Sequence, residues 1–129
     1  MIHELRHSEP VRLDKVRLAE IVARLGPRGA DDMVSRAMEE LAVQLARVHK
    51  NYGRARMGDV VEAAAVVARI AAHVGMPGLS RVARDVGWLA RPARSRNNDV
   101  ALAATVARLV RIGEDSLMQV WDLQDLSGS

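Results

Sequence analysis

Apolar residues along this chain recur every three or four positions, the spacing of one face of an α-helix. Val11, Leu18, Ile21, Val22 and Leu25 mark a first helix. Ser8-Glu9-Pro10 supplies its start, with a capping hydroxyl, an acid in the first turn and an early proline. Gly26-Pro27 ends it. Ala30-Asp31-Asp32 opens a second helix whose stripe is Val34, Met38, Leu41, Leu45, Val48 and Tyr52, flanked by Ala37 and Ala42. After a link at 54–58, Asp59 caps a third helix that runs to the Gly75-Met76-Pro77-Gly78 turn. Leu79, Val82, Ala83, Val86 and Leu89 face inward from a fourth, with Trp88 at the core edge or the surface. Asp99 caps a fifth, marked by Val106, Leu109, Val110, Leu117, Val120 and Trp121, with Gly113 a local weakness.

No segment alternates with period two, and no unit of 20–50 residues repeats. Short connections between successive helices favour antiparallel neighbours. The expected fold is therefore all-α: an up-down four-helix bundle, with an additional short N-terminal helix across one end. It forms a single domain over 1–129, with flexible ends at 1–8 and 122–129.

Composition sharpens this picture. Apolar residues make up 49% of the 129, yet there is no Phe, one Tyr and two Trp. The core must be built from Ala, Val, Leu, Ile and Met, which suits closely packed helices. The chain has no Cys, which removes disulfides, thiolate chemistry and cysteine metal sites. Formal charge is +3, with acids interspersed among the arginines, as on solvated helix faces. The exception is 91–98, where Arg91, Arg94 and Arg96 stand without an acid; that stretch reads as a loop. No apolar run reaches the ~20 residues that span a bilayer, and MIHELRHSEP has no signal-peptide core. We expect a cytoplasmic protein with no membrane partner.

Candidate chemistry is sparse. His3 and His7 have the spacing of a helical metal chelate but no assigned carboxylate or third ligand, so no metal or cofactor is expected. Asp31-Asp32 and Glu39-Glu40 are consecutive and point apart. His49 stands in the last turn of its helix, where a cation suits the dipole. No nucleophile–base pair and no glycine-rich phosphate loop is present, and the chain is not expected to be an enzyme.

The third helix is the most informative element. Glu62, Arg69 and His73 share a narrow polar arc on an otherwise apolar helix, and Val66 lies in the middle of it. With Ile70 alongside, these five residues are the candidate partner-binding surface.

The third and fourth helices resemble the histidine-containing phosphotransfer (Hpt) domain of bacterial phosphorelays. That family's motif is His-x-x-Lys-Gly, then a Gly nine residues after the His and a Leu four residues later. Gly75 and Leu79 match the last two positions, and Arg69 stands where the family has Lys. The helix order over roughly 11–121 also matches. The phosphoacceptor position is Val66, and Ile70 stands where the family has a small Gly. Valine has no nucleophilic nitrogen and cannot form a phosphohistidine. His73, two turns on, is the remaining histidine on that face, at a helix end whose dipole disfavours added negative charge. The resemblance implies a phosphorelay module that binds a receiver or histidine kinase domain without accepting phosphate.

Two other readings stand beside it. Ala71 to Val82 superficially matches a helix-turn-helix, which with the arginine loop would mean DNA binding. However, Arg81 occupies a position that motif wants apolar. Alternatively, the alanine-rich third helix packs on its own copy in a homo-oligomeric bundle. The sequence leaves monomer and dimer both open.

Overall fold

The computed structural model describes residues 12–92 and 98–128. The expected start at Ser8-Glu9-Pro10, Val11, the His3/His7 pair and most of the arginine loop fall outside those residues. The described chain is all-helical, with four helices: α1 (Lys15–Gly53), α2 (Met57–His73), α3 (Pro77–Leu89) and α4 (Asp99–Gly128).

Helix α1 begins behind Asp14, whose carboxylate accepts from the Arg17 N–H at 3.1 Å, an N-cap of the usual kind. The break expected at Gly26-Pro27 is present as a kink inside one 39-residue element. Gly26 sits at φ 76°, ψ 166°, a region open essentially to glycine alone. Pro27, with its φ fixed and no N–H to lose, restarts the helix three residues before the expected Ala30. The two limbs differ in burial. Beyond the kink, Met38, Leu41, Leu45 and Val48 are buried at the expected positions. Before it only Ile21 is buried, and Val22 and Leu25, expected inside, are exposed. That limb is tied to the end of α2, where the Asp14 N–H just before it donates to the Gly75 carbonyl at 2.7 Å.

Arg54, Ala55 and Arg56 link α1 to α2. Asp59 does not cap α2: the helix starts at Met57, no side chain caps it, and Asp59 lies in its first turn, where its charge suits the dipole. Likewise the Leu102 N–H donates to the Asn98 carbonyl at 2.8 Å, so Asn98 precedes α4 and Asp99 lies in its first turn. Helix α2 ends in a Schellman closure. Gly75 adopts φ 78°, the Met76 N–H reaches the Ala71 carbonyl at 2.8 Å and the Gly75 N–H the Ala72 carbonyl at 3.4 Å. Pro77 then opens α3 directly.

Each helix packs on two others: α1 on α2 and α4, and α3 on α2 and α4. Val60, Ala63, Ala64, Val67, Ala68 and Ala71 form the inner face of α2. The alanines expected to meet a second copy of the chain are thus mostly covered by the chain's own helices. The Ser80 hydroxyl donates to the Ala68 carbonyl at 2.8 Å, and Gly87 lies opposite Ala64, so α3 returns antiparallel along α2. Gly113, read from the sequence as a weakness, is the close-approach point between α4 and α1. A Cβ there would overlap Leu45 Cδ1 and lie 2.9 Å from Cδ2. The polar tail expected from residue 122 is instead helical backbone to Gly128, because α4 carries no breaker after Gly113.

Candidate docking groove

The arc on α2 forms one wall of a groove whose other wall is the last third of α1. The groove has a volume of about 580 Å³. Val66, Ala63 and Ala65 supply its apolar surface, and Glu62 and Arg69 flank them. Val66 is half-buried rather than projecting freely into water, because α1 runs alongside. The sequence did not bring α1 into this site. Arg47 and Lys50 nevertheless share one face of α1 at i, i+3 spacing, with Arg54 just past its end, a pattern that could have been read.

Charge in the groove is one-sided. Arg47, Lys50, Arg54, Arg56 and Arg69 line it against Asp59 and Glu62. Two of its neutral polar groups are already engaged: Gln44 Nε2 donates to Glu40 Oε1 at 2.9 Å, and Asn51 Nδ2 to the Arg47 carbonyl at 2.9 Å. Five cations over a small apolar floor make a surface that attracts anionic groups and offers one aliphatic contact.

The five residues expected to act together separate. Glu62, Val66 and Arg69 line the groove; Ile70 and His73 do not. Ile70 is half-buried and packs against the core. His73 lies two turns from Val66, about 10 Å along the axis, and joins α2 to the first limb of α1. Arg17 Nε donates to the His73 carbonyl at 2.9 Å, satisfying one of the carbonyls a helix end leaves open. Arg17 Nη2 lies 3.2 Å from His73 Nδ1. A guanidinium can only donate, so Nδ1 accepts and the ring proton sits on Nε2. The ring serves as a staple between the end of α2 and the first limb of α1 in this arrangement.

Among the described residues no cluster of three or more His, Asp or Glu side chains could hold a metal ion. None of their helices is long and apolar enough to cross a membrane. Arg81, at the position a helix-turn-helix wants apolar, lies on the outer side of α3 and is exposed. No protein-family model, curated protein or solved structure matches the chain significantly.

Proposed function

We propose that this chain is an Hpt-like docking module: an up-down four-helix bundle, with the first limb of α1 across one end, that binds a receiver or histidine kinase domain and accepts no phosphoryl group. The single observation that supports this reading is the position of Val66. It occupies the phosphoacceptor slot of the resemblance and is half-buried between five cations. In this reading Val66 fills an apolar spot on the partner. Arg69, with Arg47 and Lys50 across the groove, pairs with carboxylates around the partner's phosphorylation site, and Glu62 sets register at the rim. Ile70 and His73 would be reached only by a partner extending beyond the groove toward the α2–α3 turn.

The test uses purified receiver and histidine kinase domains of the source organism, titrated against the wild-type chain and the Val66→Glu variant. At least one should bind, and Val66→Glu should raise its Kd at least about tenfold, or ~1.4 kcal/mol, with little change in thermal stability. Radiolabelled phosphate on that receiver should not transfer to the chain. An unchanged Kd in the variant sinks the proposal. So does binding only to duplex DNA with steep loss on added salt, which would mean the cations meet nucleic-acid phosphates.

A further inference from the structure

Helix α4 carries two heptad seams on opposite sides. The inner one, Leu102, Val106, Leu109, Gly113, Ser116 and Val120, is buried in the chain's own core. The outer one begins two residues earlier, about 200° around the helix, and repeats with the same alternating four-three spacing. It starts at Val100, Ala104 and Ala107, continues through Arg111 and Glu114, and ends at Met118 and Trp121. All seven are exposed. Val100 is 85%, Met118 61% and Trp121 46% accessible, a high exposure for large apolar side chains on one face. The span from 100 to 121 is about 32 Å.

The order of side chains along this seam is self-complementary when reversed. If a second copy of α4 lies antiparallel, with the two-fold axis between 111 and 114, Ala104 faces Trp121 and Ala107 faces Met118. Small residues then receive large ones in these two layers, while Val100, set opposite position 125 in this register, lies outside them. The same register places Arg111 of each copy against Glu114 of the other, giving two equivalent opposite-charge pairs at the centre. A parallel pairing would set Arg111 on Arg111 and Glu114 on Glu114. We propose that the outer face of α4 is a homodimer interface: an antiparallel, isologous helix pair whose occupant is a second copy of this chain. The proposal stands on α4 alone and is independent of the docking groove.

Sedimentation equilibrium tests it on the full chain. The apparent mass should rise from 14.1 kDa toward twice that as concentration passes through the micromolar range. Arg111→Glu puts glutamates opposite each other at both central pairs, and Glu114→Arg does the same with arginines; each variant alone should remain monomeric. Mixed in equal amounts, the two should dimerise, because every central pair is again Arg against Glu. The Arg111→Glu/Glu114→Arg double variant should also dimerise with itself. Rescue on mixing excludes misfolding as the cause of the single-variant result. A wild-type chain that stays monomeric at several hundred micromolar overturns the proposal. So do single variants that dimerise like the wild type, or a mixture that fails to restore the dimer.

Discussion

Replacing Gly113 by Ala separates the reading of the sequence from that of the structure by sign. On helix propensity alone, Ala in the interior of α4 is worth about 1 kcal/mol of added stability. The structure opposes this gain. The new methyl would overlap Leu45 Cδ1 and sit 2.9 Å from Cδ2 and 3.2 Å from Cγ. Rotating the Leu45 methyls relieves the first two contacts but not the third, and Leu45 is buried within a packed core. Overpacking of this kind costs about 1–3 kcal/mol. The larger part of that range applies here, so the net effect is a loss of about 1–2 kcal/mol. Urea unfolding followed by circular dichroism should show a lower midpoint at unchanged slope. Shortening the partner should reverse the sign: in a Leu45→Ala background, where the methyl meets vacated space, Gly113→Ala should stabilise. The two substitutions should couple by about 0.5–3 kcal/mol. A more stable Gly113→Ala single variant would refute the close approach of α1 and α4.

Gly75→Ala should destabilise by about 2 kcal/mol or more in the same assay. It forces an alanine to φ 78° at a cost of about 1–2 kcal/mol and brings its Cβ to 3.1 Å from the Asp14 carbonyl oxygen. Ser80→Ala should cost about 1 kcal/mol through loss of the buried bond to the Ala68 carbonyl. Ser116→Ala should cost less, because the Ser116 hydroxyl donates within its own helix to the Ile112 carbonyl at 2.7 Å, which already belongs to the helical ladder.

The core was legible because helical spacing and burial agree wherever a helix has one inner face. Met38, Leu41, Leu45 and Val48 on α1, and Leu79, Val82, Ala83 and Val86 on α3, are buried as their spacing requires. The break at Gly26-Pro27 was legible for a similar local reason. What failed was whatever depends on a neighbour distant in sequence. Val22 and Leu25 have the right spacing, yet none of the described helices buries them. Gly113 looks like a weakness until Leu45 is placed beside it. The groove was half-read: the polar arc on α2 was visible, whereas the α1 cations opposite join it only once the chain turns back at 54–56. On α4, Trp121 was marked with Val120 as part of the apolar stripe, yet Val120 is buried and Trp121 exposed, since consecutive residues lie about 100° apart around a helix.

The two proposed surfaces lie on helices that share neighbours, since α2 and α4 each pack on α1 and α3. If an α4 pairing leaves the Val66 groove open on both protomers, the dimer would carry two docking sites. Bivalency changes release from a crowded partner surface far more than one-to-one affinity, because rebinding of the second site becomes intramolecular. Arg111→Glu should therefore bind the partner domain in dilute solution with wild-type Kd, yet dissociate at least about tenfold faster from a sensor surface densely coated with that domain. Val66→Glu should show the reverse: an intact dimer by sedimentation and weak binding in both formats. If Arg111→Glu weakened the solution Kd as much as Val66→Glu does, partner binding would require the α4 pairing, and the assignment of docking to α2 and self-association to α4 would be wrong.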